Sequence, residues 1–114
     1  PFTDKIVIIE PMPETQTSML DCLSTGADPE SCDQQIDIKT GTQTFEKITR
    51  ALAKENPHVL SVSLHELICP QGTCPAEVNG IPTHRDNQHL TWDYAEAIMP
   101  DLDDLLTKAG APLS

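Results

Sequence analysis

The chain has 114 residues, enough for one domain or a piece of one with a modest core, and no apolar run approaches the ~20 residues that a membrane-spanning helix needs. Eighteen Asp and Glu against seven Lys and Arg give a formal net charge of −11. Such a surface repels phosphate backbones and anionic headgroups, so no nucleic acid partner is expected.

The first residue is Pro1, without the methionine, basic segment or apolar segment of a leader, so any targeting segment is expected to have been removed or to lie outside this stretch. Lys5-Ile6-Val7-Ile8-Ile9 is a continuous apolar run ending at Glu10-Pro11, the pattern of a buried strand in a parallel sheet. From Met12 to Ile38 the sequence is rich in Pro, Ser, Thr, Asp and Gly with weak periodicity, which predicts a long loop pinned by its two cysteines. Between Thr42 and Glu55, Phe45, Ile48, Ala51 and Leu52 recur at helical spacing opposite Glu46, Lys47, Arg50 and Lys54. That pattern predicts an amphipathic helix stopping before Asn56-Pro57. His58 to Leu64 is a second β-rich run, and the order strand, helix, strand implies parallel pairing with a right-handed crossover.

Glu66 to Thr83 is expected to be an irregular excursion that includes the turn Asn79-Gly80. Thr91 then stands where a helix cap is needed, with Asp93 in the first turn, and Ala95, Ile98, Met99, Leu102, Leu105 and Leu106 form an apolar stripe. Pro100 removes a backbone donor there, so a kink or restart is expected, and Gly110 is placed to close the helix. Asp101, Asp103 and Asp104 read as a solvated helix face. Two strands with helices do not complete a doubly wound sheet. The remainder is expected from elsewhere in the polypeptide, or from a homodimer or exchange of elements between copies.

Cys22, Cys32, Cys69 and Cys74 can pair in three ways. Pairing of neighbours is the simplest, because Gly26 and Pro29 lie inside one loop and Pro-Gln-Gly-Thr inside the other, and turn-forming sequence lets the α-carbons approach. A bridge across so short a loop contributes about 2–3 kcal/mol, mostly by restricting the unfolded chain. Two disulfides imply an oxidising compartment. Zinc held by these cysteines with His84 and His89 is disfavoured, since neither pair has the spacing of a zinc knuckle, and no metal is expected.

The clearest chemistry lies in Arg85-Asp86-Asn87-Gln88-His89-Leu90-Thr91. Residues three apart share one side of a turn, so Asp86 can accept a hydrogen bond from one ring nitrogen of His89 while the other faces a nucleophile or substrate. A carboxylate so placed fixes the tautomer and stabilises the imidazolium that forms during catalysis. No serine sits in a Gly-Asp-Ser or Gly-x-Ser-x-Gly setting, so the nucleophile is expected from outside this stretch. Ser61 and Ser63 alternate along a strand and read as small polar strand positions, since a nucleophile needs a sharp exposed turn near a base. His84 reads as an exposed loop histidine, with substrate contact as the second possibility. His58 and His65 are assigned no chemistry. Trp92 reads as a packing residue at the helix start, with a sugar platform as the other reading.

Three stretches resemble a known family, the SGNH (GDSL-like) hydrolases, and most closely the extracytoplasmic SGNH domain fused to membrane acyltransferase-3 proteins. Ile8-Ile9-Glu10-Pro11-Met12-Pro13-Glu14 followed by Asp21-Cys22-Leu23 is similar to that domain's strand, Pro-rich turn and first cysteine. Leu67-Ile68-Cys69-Pro70-Gln71-Gly72-Thr73-Cys74-Pro75, with Asn79-Gly80, is similar to its second cysteine loop and following turn. Asp86-Asn87-Gln88-His89-Leu90-Thr91 is similar to its last block, which supplies acid and base.

The resemblance implies a partial three-layer α/β/α sandwich with parallel strands and two local disulfides. Residues 1–114 would be the C-terminal half of the domain, with Asp86 and His89 completing a Ser-His-Asp triad whose serine lies in the other half. The implied activity is a bacterial envelope O-acyltransferase or acyl esterase moving an acyl group to or from cell-surface carbohydrate, without a cofactor. Its partners would be an acyl donor, a carbohydrate acceptor and the membrane, reached through the parent's transmembrane portion on the periplasmic or outer face of the inner membrane. Two other readings stand beside it: a non-catalytic disulfide-stapled interaction domain, and a fragment of a secreted SGNH esterase.

Overall fold

Four consecutive β-branched residues form β1 (Ile6–Ile9) in the computed structural model, which describes residues 5–38 and 40–111. The stretch from Met12 to Ile38, where composition predicts a long loop, is more ordered than that. Ser18 caps a short helix, α1 (Met19–Ser24), by accepting the Asp21 N–H; a 3-10 turn follows at Pro29–Cys32, and β2 (Gln34–Gln35) comes next. Elements this short leave no readable periodicity. The Cys22–Cys32 disulfide ties them together, with its α-carbons 5.7 Å apart.

α2 (Thr40–Glu55) crosses over to β3 (Val59–Val62), which pairs in parallel with β1 so that Ile6 lies beside Val59 and Ile9 beside Val62. Side chains alternate across the pleat. Val7 and Val62 face the core cluster that also holds Ile98 and Leu106, whereas Ser61, on the opposite face, hydrogen-bonds Thr49 of α2 at 3.0 Å. The parallel sheet therefore lies between two helical layers in a mixed α/β fold.

Two expectations for this half need correction. Ile6 and Ile9 are exposed, so β1 is only partly buried, and the apolar stripe of α2 at Phe45, Ile48 and Leu52 is exposed as well. The helix instead lays Thr49 on the sheet. Its rotation follows from an ion pair: Glu10, immediately after β1, accepts Arg50 Nε at 3.2 Å and Nη2 at 2.7 Å and the Ser61 hydroxyl at 2.7 Å. The Arg50 guanidinium holds the Glu10 carboxyl below the usual range, against the opposing effect of burial. Two strands span about 5 Å, whereas a helix is about 10 Å wide, so α2 overhangs the sheet and its apolar side finds no cover among the described residues.

α3 (His65–Ile68) and a 3-10 turn at Pro70–Gly72 lead into β4 (Thr73–Cys74), which pairs antiparallel with β2, Gln34 opposite Cys74. Cys69–Cys74 closes this loop with its α-carbons 4.0 Å apart, so the disulfides join neighbouring cysteines and both are laced to one ladder. β5 (Glu77–Val78) and β6 (Ile81–Pro82) form a hairpin, turned by Asn79 and Gly80 at positive φ values of 52° and 79°, the geometry that Asn-Gly favours.

Pro100 does divide the final helix. α4 (Trp92–Ala97) ends at Ile98 and α5 (Met99–Lys108) restarts there, with proline in its first turn, where the missing N–H costs nothing. The restart resets the helical phase, which leaves Met99, expected in the stripe, exposed. Gly110 at φ 94° closes α5: its N–H binds Thr107 O and the Ala111 N–H binds Leu106 O, a Schellman motif. The radius of gyration is 15.6 Å, against ~13 Å for a compact domain of this length. Among the described residues no helix is long and apolar enough to cross a membrane.

Candidate active site

Between β6 and α4 the chain makes one tight excursion. Its base is held by Thr91 N–H to Thr83 O at 2.9 Å and Arg85 N–H to His89 O at 2.9 Å, which leaves Asp86, Asn87 and Gln88 at the tip. Thr91 locks the exit: its hydroxyl donates to Pro82 O at 2.6 Å and accepts the Tyr94 N–H at 3.1 Å, capping α4. On the near side the tip is docked by Thr15, whose N–H binds Asn87 O at 3.0 Å.

Within this turn one oxygen of Asp86 accepts the backbone N–H groups of Gln88 and His89 at 2.7 and 2.6 Å, and the other lies 2.9 Å from His89 Nδ1. Those bonds, led by the Gln88 N–H and then by the His89 ring, hold the Asp86 carboxyl down at about 2. An ionised Asp86 makes Nδ1 the protonated nitrogen of a neutral His89, so Nε2 carries the lone pair. Nε2 makes no hydrogen bond among the described residues. The arrangement can take a proton at Nε2 and stabilise the resulting imidazolium at Nδ1. Both side chains are accessible, Asp86 at 44% and His89 at 56%.

His84 lies two residues away but is not the exposed loop histidine expected: it is fully buried. Thr83 commits its hydroxyl hydrogen to Pro75 O at 2.7 Å, so its oxygen accepts from His84 Nδ1 at 2.9 Å. Burial pushes the imidazole below its ordinary value, against a smaller opposing pull from Asp86. Trp92 also departs from expectation, because at 84% exposure it does not pack at the helix start. Ser61 is held by the Glu10 carboxyl and Thr49, in line with a strand position. All four cysteines are in disulfides, and among the described residues no cluster of His, Cys, Asp and Glu is arranged to hold a metal ion.

Sequence reasoning missed the charged groups at the carboxyl edge of the parallel strands. Glu10 follows β1 and His65 follows β3; Arg50 bridges Glu10 and Glu46, and His65 Nε2 lies 3.3 Å from Glu46 Oε1. The available signal was a carboxylate directly after an apolar strand, a position that binds ligands or partners in α/β folds.

A family model described as SGNH domain (fused to AT3 domains) matches residues 2–104. No curated protein and no solved structure matches the chain.

Proposed function

This chain belongs to the family of SGNH domains fused to AT3 domains, and from that premise we propose that Asp86 and His89 are the acid and base of an acyl-transferring site. The observation that carries the reading is the bond from His89 Nδ1 to Asp86 Oδ2 at 2.9 Å, which leaves Nε2 accessible. In this reading a serine from another part of the polypeptide gives its proton to Nε2 and attacks the acyl carbonyl. The imidazolium then protonates the departing donor, leaving an acyl-serine ester. A sugar hydroxyl next gives its proton to Nε2 and attacks that ester, and the serine recovers its proton as it leaves.

Residues 1–114 would then be the C-terminal half of the domain. Support comes from the exposed apolar residues Ile6, Ile9, Phe45, Ile48 and Leu52, and from the accessibility of an acid that such triads usually bury. Two disulfides fit an extracytoplasmic setting, and a membrane portion elsewhere in the parent would supply the acyl group to a cell-surface carbohydrate.

The decisive experiment replaces His89 with Ala in the full-length protein and follows acyl transfer together with the melting temperature. Loss of transfer with unchanged melting supports the assignment. Retained transfer means that the pair is structural and that the chain is a stapled interaction domain.

A further inference from the structure

The carboxyl ends of β1 and β3 open onto a cavity of about 440 Å³. Its walls include Glu14 from the segment after β1, Asp37, Gln43 and Glu46 from around the start of α2, His65 after β3, and Gln71 of the Cys69–Cys74 loop. The volume falls in the range of small-molecule sites, and the position is where open α/β sheets bind ligands. Glu46 Oε1 and His65 Nε2 face each other in this wall 3.3 Å apart, an ion pair when the imidazole is protonated.

The lining sets the chemistry. Three carboxyl side chains accept hydrogen bonds, three side-chain types (amide, imidazole and hydroxyl) can also donate, and among the described residues no Lys or Arg lines the cavity. A ligand rich in hydroxyl or ammonium donors fits such walls, while a carboxylate or phosphate is repelled. The cavity is also next to the catalytic turn, because Thr15, the residue after Glu14, donates its N–H to Asn87 O at 3.0 Å. We propose that this cavity is the acceptor subsite and that it takes a neutral or amino-sugar unit, not an acidic one. This rests on the acyl-transfer reading above for its role, though not for its binding chemistry.

The test is calorimetric titration of the full-length protein with oligomers of glucose, of glucosamine and of galacturonic acid. Gln43→Arg is the main variant, because Gln43 lines the cavity and is exposed on the first turns of α2, so a guanidinium there fills the cavity and offsets its carboxylates, Glu46 three residues on among them. Glu46→Gln is the second. Binding of a glucose or glucosamine oligomer, weakened at least tenfold by Gln43→Arg and by Glu46→Gln if that variant folds, is the expected result. Unchanged affinity in Gln43→Arg, equal affinity for the galacturonic acid oligomer, or binding of none of the three overturns the proposal. Loss of transfer in His89→Ala alongside unchanged binding in Gln43→Arg would sink this subsite alone; retained transfer in His89→Ala would sink the acyl-transfer reading, whatever the titrations show.

Discussion

Asp86 holds His89 twice: Oδ1 accepts the His89 backbone N–H at 2.6 Å while Oδ2 lies 2.9 Å from its Nδ1. One carboxyl group therefore builds the turn and aims the ring that the turn carries. The two tasks can be separated by mutation.

Asp86→Asn keeps an oxygen for the backbone N–H groups but loses the charge that stabilises an imidazolium. Asp86→Ala loses both. Acyl transfer by the full-length protein is expected to fall about 10²- to 10⁴-fold in each variant, whereas the melting temperature should fall further in Asp86→Ala, which loses the acceptor of the turn as well as the charge. Equal melting temperatures for the two variants would show that the turn stands without its carboxylate.

The acid limb of stability should carry the signature of Asp86. Its carboxyl titrates at about 2 when folded and near 3.8 when free. The folded state thus gains stability from Asp86 that is complete above pH 3.8 and lost as the pH falls through about 2. Thermal unfolding of Asp86→Asn over this window should show a shallower acid decline than the parent.

His84 acts at higher pH and with the opposite cause. Its neutral form is favoured by burial, so below the ordinary value of 6.5 the unfolded chain takes up a proton that the folded chain resists. Stability should fall as the pH drops below 6.5. His84→Asn, which keeps a donor toward Thr83, should flatten that fall even if it lowers stability at neutral pH. An unchanged slope would mean that the buried ring is protonated as readily as a free one.

The exposed side of α2 should behave differently in the isolated chain and in the full-length protein. Ile48→Ser should cost less than about 1 kcal/mol in the 114-residue chain, where the side chain already meets solvent. It should cost about 2–3 kcal/mol where another part of the polypeptide covers it. Comparable small losses in both would remove the main support for a second half packing on this face.

Trp92, the single tryptophan of the chain, reports on its own surroundings. With 84% of its surface exposed, its emission should resemble that of free indole and be readily quenched by acrylamide. Trp92→Ala should change stability by no more than about 0.5 kcal/mol. A blue-shifted, protected signal in the isolated chain would restore the packing role that the sequence suggested.

What was legible in the sequence was local. Asp86 and His89 are three residues apart, each disulfide closes a short loop, Asn79-Gly80 specifies its own turn, and Thr91 caps the helix that follows it. The failures were long-range. The rotation of α2 depends on Arg50 meeting Glu10 across 40 residues, which no periodicity within the helix could disclose. His84 looked exposed because its neighbours are polar, yet Thr83 and the Pro75 carbonyl draw it inward. The cavity walls arrive from four separate parts of the chain.

Lys5 Nζ binds Gly110 O at 2.9 Å, so the beginning of β1 and the end of α5 meet at one pole of the molecule. A circular permutant that joins Ala111 to Lys5 by a short linker and opens at the exposed Asn79-Gly80 turn should keep the same architecture, with its new termini on the hairpin β5–β6.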